Sequence, residues 1–167
     1  MTAIRSQSRT LTPLPAGVTM RAATLEDCSS LAPRLRAEDQ DEAEAFYGVP
    51  AEYALRFSLL FTTGATVACV EGTPEMIFGC PNGSPWMLCT SLAVSPRWRK
   101  TFARHSREHI NLWLGEFGRL HNFTDARNVV HHAWLRRMGF TFIAHDVPYG
   151  PAGLAFHEFE LCAIQPS

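Results

Sequence analysis

The sequence has little net charge and no long apolar run, and each shortage excludes a class of protein. With a net charge of −1 over 167 residues, no overall field draws the chain towards nucleic acid or a membrane surface. No apolar stretch is long enough to cross a bilayer. The amino-terminal residues MTAIRSQSRTLTPLPAG lack the apolar core of a signal peptide, so we expect synthesis in a cytoplasm.

Cysteine motifs are missing as well. The five cysteines are odd in number, scattered without any C-x-x-C pair, and mostly inside apolar runs. This distribution is typical of reduced core thiols, and nothing marks one of them as a nucleophile. His105 and His109 lie one helical turn apart, a spacing that suits zinc, but no third ligand is indicated. We therefore predict no metal site.

The composition is that of one ordinary globular domain. Hydrophobic residues make up 46% of the chain and charged residues 19%, which is enough to build a core. Residues 1–17 are polar and contain Arg5 and Arg9 but no acid, so they predict a flexible amino-terminal arm. The arm is either a loose terminus or a tail that orders on a partner. Residues 18–165 form the domain.

Charge is distributed unevenly within that domain. Eight acids lie within residues 26–52, which we interpret as a solvated helix face, with an acidic docking surface as the alternative. Basic side chains crowd the start of a predicted helix, where they oppose its dipole. They are either solvated or paired with the acidic helices, or they form an anion site for cofactor phosphates or a nucleic-acid backbone. The basic residues are Arg97, Arg99, Lys100, Arg104 and Arg107.

Trp98 stands in a turn among these arginines. An exposed indole is costly there unless something covers it. We therefore expect Trp98, with Arg97, to contact a partner protein or a second subunit.

Hydrophobic periodicity gives the order of the elements. A first strand leads to two or three helices, and Thr24 and Asp27 form a capping box at the first of them. Three antiparallel strands, a helix, a strand, a helix ended by Gly139 and two final strands follow. The predicted strands are 18–23, 66–71, 75–80, 86–94, 120–125, 141–147 and 154–161, and the last two helices are 100–117 and 129–138. The sequence predicts an α/β domain with a mixed, mostly antiparallel central sheet of about seven strands and helices on both faces.

This order, with residues at fixed spacing, resembles the GNAT superfamily of acyl-CoA-dependent N-acetyltransferases. MRAATLEDCSSL resembles its first strand and helix, and ACVEGTPEMIFGC its central hairpin. NVVHHAWLRRMGF is similar to its late motif, in which an asparagine is followed by Gly-Phe eleven and twelve positions on. Asn128, Gly139 and Phe140 occupy those places. The resemblance covers about residues 18–163 and implies a GNAT-like fold.

The resemblance also implies where a cofactor would bind. In active members an R-x-x-G-x-G/A segment follows the fourth strand, and its backbone N–H groups hold the pyrophosphate of CoA. Arg99 matches the arginine, whereas Phe102 and Arg104 stand at the glycine places, and Phe102 would either block the phosphates or turn into the core. The cofactor site is therefore a degenerate one. Its residues are Val94, Arg99, Lys100, Thr101, Phe102, Ala103, Arg104 and Asn128.

The catalytic groups that the resemblance implies are missing too. The tyrosine that protonates the departing CoA thiolate in many members corresponds to Leu135. The strand WMLCTSLAV contains no acid to serve as general base. His131 and Tyr149 remain as candidates for proton transfer, with a packing role and a turn role as their respective alternatives.

A narrower resemblance fits a loss of catalysis. MRAATLEDCSSLAPRLRAEDQDEA, PWMLCTSLAV followed by FARHSREHINLWL, and LHNFTDARNVVHHAWLRRMGF are similar to a GNAT-like family of internal virion proteins of short-tailed phages. That resemblance implies a virion component or assembly factor, without a cofactor, that contacts other phage virion proteins or further copies of itself. Arg5, Arg9, Arg97 and Trp98 are its candidate partner-binding residues. The alternatives are an active N-acetyltransferase that uses acetyl-CoA and, more weakly, a nucleic-acid-binding adaptor.

Overall fold

The helices and strands follow one another in the predicted order. The computed structural model describes residues 11–163. The strands are β1 (Val18–Ala22), β2 (Thr66–Val70), β3 (Thr73–Gly79), β4 (Trp86–Cys89), β5 (Arg119–Asp125), β6 (Thr141–Tyr149) and β7 (Leu154–Cys162). The helices are α1 (Leu25–Leu31), α2 (Ala37–Tyr47), α3 (Ala51–Leu60), α4 (Arg99–Phe117) and α5 (Val129–Met138).

Side-chain caps and left-handed residues set the helix ends. The Thr24 hydroxyl accepts a hydrogen bond from the Asp27 N–H, and the Asp27 carboxylate accepts one from the Thr24 N–H at 2.8 Å, which confirms the predicted capping box of α1. α5 ends at Gly139, whose φ of 102° is open to glycine far more readily than to other residues.

The seven strands form two antiparallel sheets rather than one. The first has the order β1-β2-β3-β4 and the second the order β5-β7-β6. The predicted fold class is confirmed, with the correction that the hydrogen-bond ladder is interrupted between β4 and β5. At the start of β4 the Asn122 Nδ2 donates to the Pro85 carbonyl at 3.0 Å, so a side chain spans the interruption there.

Helices cover both faces of the first sheet. Along β3, Met76 and Phe78 belong to a core cluster shared with the start of α4, whereas Ile77 belongs to a cluster shared with α1, α2 and α3. This alternation is the period of two that a strand imposes. A third cluster joins α4 and α5 to the second sheet.

β4 is shorter than the sequence predicts. The strand ends at Cys89, where the segment immediately before α2 contacts its edge. Leu35 forms a bridge with Thr90, and the Arg36 N–H donates to the Cys89 carbonyl at 3.1 Å. Leu92 and Val94 are 41% and 40% exposed, so the apolar run continues as surface turns and not as a strand.

The amino-terminal segment contacts the domain where it is described. Leu14 packs against the first core cluster, and Thr12 donates through its N–H and its hydroxyl to the Glu108 carboxylate. The last residues of the predicted arm are thus held by α4. Arg5 and Arg9, the arm's candidate partner-binding residues, lie outside the described residues.

Four of the five cysteines are core thiols, as the sequence predicts. Four are buried and Cys162 is exposed, and all five are free. Burial raises the pKa of Cys28 to about 11 and that of Cys80 to about 12, which keeps both thiols protonated and unreactive at neutral pH. None of the helices within residues 11–163 has the length and apolar character to span a bilayer.

Candidate functional site

The interruption between β4 and β5 opens into two cavities that share a wall. The wide cavity, about 230 Å³, is lined from α2, α3, β4, β5 and the end of β6. The narrow cavity, about 30 Å³, is lined from β4, α4 and α5. Pro85, Trp86, Met87, His131 and Phe159 line both.

Aromatic rings form much of the wall of the wide cavity. The Tyr149 ring stacks on Phe123, with centroids 4.3 Å apart, and lies 5.0 Å from the Phe46 ring. Burial raises the pKa of Tyr149, so its phenol is protonated at neutral pH. Tyr149, a candidate from the sequence, therefore lines the cavity with a proton to donate.

His131, the other candidate, lies in the first turn of α5. The backbone N–H of His131 donates at 3.2 Å to the side-chain oxygen of Asn128, which caps the helix. Its ring Nδ1 lies 3.3 Å from Glu42 Oε2 and 3.2 Å from the Thr124 hydroxyl. Burial alone would lower the pKa of His131, but the adjacent Glu42 carboxylate outweighs it and the pKa is raised.

Two acids of α2 are part of a buried polar cluster that the sequence did not reveal. Asp39 and Glu42 are 2% and 8% exposed, which corrects the interpretation of this stretch as a solvated face. The Asp39 carboxylate accepts from the Arg36 guanidinium at 2.5 Å and from the Cys89 N–H at 3.1 Å. The Asn128 Nδ2 donates to Glu42 at 2.7 Å, so this residue of the predicted cofactor site is engaged inside the protein.

The signal for this cluster is faint. Arg36, Asp39 and Glu42 repeat at a spacing of three, which places them on one face of α2. That helix has no stripe of large apolar residues, so the hydrophobic periodicity did not predict which of its faces is buried.

The two aromatic residues at the start of α4 point into the core. Trp98 and Phe102 are 7% and 4% exposed and belong to the first core cluster. The protein's own core therefore covers the Trp98 indole, which removes the reason for expecting a partner contact there, and the Arg97 guanidinium lies 4.7 Å from its ring centroid. Phe102 adopts the inward one of its two expected orientations and leaves the outer surface of the turn open.

That outer surface is strongly basic. Arg97, Arg99, Lys100, Arg104 and Arg107 are all exposed, and the first turn of α4 contains no acid. Within residues 11–163 none of the five forms an ion pair with a carboxylate. They do not pair with the acidic helices, so a solvated basic face and an anion site both remain as interpretations. Of the other residues of the predicted cofactor site, Val94 is exposed, and Thr101 and Ala103 are half-buried.

The residues present fit the phosphates of an acyl-CoA better than they fit its thioester arm. A helix start with unpaired basic side chains favours a diphosphate. The narrow cavity has room for about one water molecule, so an acyl arm requires its aromatic walls to move apart.

Among solved structures, the chain is similar to N-acetyltransferases. No protein-family model and no curated protein matches it. A GCN5-related N-acetyltransferase from Kribbella flavida is 17% identical, with a TM-score of 0.61 over 88% of this chain and 98% of that one. A putative ribosomal-protein-serine acetyltransferase from Vibrio cholerae is 14% identical, with a TM-score of 0.65 over 90% and 96%. A putative acetyltransferase from Salmonella typhimurium, solved with its cofactor acetyl-CoA, is 14% identical, with a TM-score of 0.55 over 90% and 96%.

The chain therefore has the fold of the GNAT N-acetyltransferases. At these identities the likeness extends to the fold and no further.

Proposed function

We propose that this protein is an N-acetyltransferase that uses acetyl-CoA and acts at the opening between its two sheets. The observation that carries the proposal is the interruption between β4 and β5, with a cavity on each side and His131 lining both. The acetyltransferases to which the fold is similar support this assignment over the virion role.

The start of α4 is the part of the chain that would hold the cofactor. Arg99, Lys100 and Arg104 present three exposed positive charges at a helix amino terminus, where the dipole also favours an anion. Phe102 does not obstruct them, because its ring lies in the core. Acetyl-CoA supplies an activated acyl group as a thioester when bound.

The wide cavity suits an amine acceptor. Its aromatic rings attract a cationic nitrogen through their faces, and Glu42 adds a carboxylate to its lining. Tyr149 and Phe123 form one wall, so an acceptor that carries an apolar group next to its amine fits best.

A thermal melt with and without acetyl-CoA tests the proposal. A site filled at a hundred times Kd adds about 2.7 kcal/mol of stability, which corresponds to a rise in Tm of roughly 5–10 °C for a chain of this size. The double change Arg99→Ala with Arg104→Ala should abolish the rise. Arg56→Ala, which removes a basic side chain on α3, should retain it. Thiol release with benzylamine as acceptor then reports transfer.

A non-catalytic role as a phage virion component is the second candidate. It is favoured by Leu135, which is 2% exposed in the third core cluster and has no proton to donate, and by the small volume of the narrow cavity. On this alternative millimolar acetyl-CoA leaves Tm unchanged, and the protein copurifies with virions at a fixed copy number.

A further inference from the structure

We propose that Glu42 and His131 together form the proton donor of the acyl transfer, with His131 as the catalytic residue and Glu42 as the residue that positions it. This inference rests on the proposed function. It assigns a catalytic task to a pair formed between α2 and α5.

The geometry fixes which ring nitrogen is free. Nδ1 of His131 faces Glu42 Oε2 at 3.3 Å and the Thr124 hydroxyl at 3.2 Å. Glu42 is itself held by the Asn128 Nδ2 at 2.7 Å. Within residues 11–163, Nε2 of His131 has no hydrogen-bond partner, and the ring lines both cavities. The free nitrogen is therefore the one available to a ligand in the opening.

The charges around the ring favour its protonated form. From α2 and the residue before it, Asp39 and Glu42 contribute two carboxylates and Arg36 contributes one guanidinium. From β5 and α5 the contacts are neutral, through Thr124 and Asn128. Without His131 the cluster has two negative charges and one positive charge. A protonated His131 supplies the second positive charge and balances them.

An imidazolium at this place matches the chemistry of thioester aminolysis. The amine nitrogen forms the N–C bond while the C–S bond breaks and its electron pair stays on sulfur. His131 Nε2 donates the proton that the sulfur requires, and the imidazole regains a proton from the nitrogen as the amide forms. Each turnover gives one amide and one free thiol and leaves His131 protonated. The departing thiolate, whose conjugate thiol has an ordinary pKa of about 8.5, accepts that proton readily.

Two variants of the pair, one control variant and two readouts test the proposal. Glu42→Gln keeps an oxygen for Asn128 but removes the charge. Glu38→Gln, an exposed acid in the first turn of α2, is the matched control. We would measure the ring titration of His131 by NMR, and kcat from about pH 6 to about pH 9 with acetyl-CoA and benzylamine.

The pair predicts two parallel changes. In the wild type kcat falls as pH rises through the titration midpoint of His131. In Glu42→Gln the titration midpoint of His131 and the pH at which kcat falls both decrease by about one pH unit. In Glu38→Gln both stay unchanged. His131→Gln lowers kcat by about a hundredfold or more and removes the fall.

Three results would overturn the proposal, and they are distinguishable. If the titration midpoint of His131 is unchanged in Glu42→Gln, Glu42 does not influence the protonation of His131. If the midpoint of His131 decreases in Glu42→Gln but the pH dependence of kcat does not change, His131 is not the proton donor, although acyl transfer still occurs. A wild-type protein whose Tm does not respond to acetyl-CoA overturns the proposed function and this inference together.

Discussion

At the scale of single residues, Phe102 explains how a helix start without glycine can remain open to a ligand. A phenyl ring at this place would obstruct a phosphate only if it pointed outwards. Instead it packs in the first core cluster together with Trp98 and Met76. In the proposed function an anion at this turn meets the exposed cations, whereas the buried ring contributes to stability.

Phe102→Ala should therefore destabilise the fold. Removing a buried phenyl ring leaves a cavity, and such changes cost about 3–5 kcal/mol of unfolding free energy. Urea unfolding measures the loss. Leu112→Ala, an exposed apolar position on the same helix, should change the unfolding free energy by no more than about 0.5 kcal/mol. Equal effects at the two positions would contradict the inward packing of Phe102.

At the scale of elements, α2 holds the edge of β4. Arg36, which precedes the helix, and Asp39 in its first turn replace the strand partner that β4 lacks on that side. Asp39 joins three elements, because its carboxylate also accepts a hydrogen bond at 3.3 Å from Asn128, the residue that caps α5. A helix rather than a strand thus satisfies the free backbone groups of Cys89.

Asp39→Ala should be far more destabilising than a surface change in the same helix. It leaves the buried Arg36 guanidinium and the Cys89 N–H without their partner, and breaking a buried ion pair in this way costs about 3–5 kcal/mol. Asp41→Ala, exposed two residues further on, serves as the control in the same urea experiment. A cost at Asp39 no larger than at Asp41 would show that the cluster contributes nothing to stability.

Patterns local in the sequence were predictable, and contacts across the fold were not. The capping box at Thr24, the left-handed Gly139 and the order of all the elements follow from spacing and residue type alone. The end of β4 did not, because the pairing of Thr90 with Leu35 joins residues distant in the chain. The burial of Glu42 could not be predicted for the same reason, since its hydrogen-bond partners are Thr124 on β5 and Asn128, which caps α5.

At the scale of the whole molecule, buried titrating groups set the response of stability to pH. Burial lowers the pKa of His105 and His132, so each resists protonation in the folded state. The hydrogen bond from Arg21 lowers the pKa of Asp27, and Arg127 lowers that of Asp125 against the effect of burial. His131 shifts the other way, because Glu42 raises its pKa.

The signs follow from which state binds the proton more tightly. The stability that His105 and His132 contribute is present above the ordinary histidine pKa of about 6.5. It is lost as pH falls below that value, because the unfolded chain then takes up the protons. The contribution of Asp27 and Asp125 is lost at lower pH still. The contribution of His131 is present below about pH 6.5 and is lost as pH rises through its raised pKa.

We therefore expect the unfolding free energy to decrease from about pH 7 to about pH 5, since two histidines that resist protonation oppose one that favours it. Urea unfolding across this range measures the slope. His132→Phe removes one of the two resisting groups and should flatten the decrease, whereas His145→Gln, at an exposed position, should leave the slope unchanged. A stability that rises on acidification would mean that the protonation of His131 outweighs both buried histidines, and Glu42→Gln would then reverse the slope.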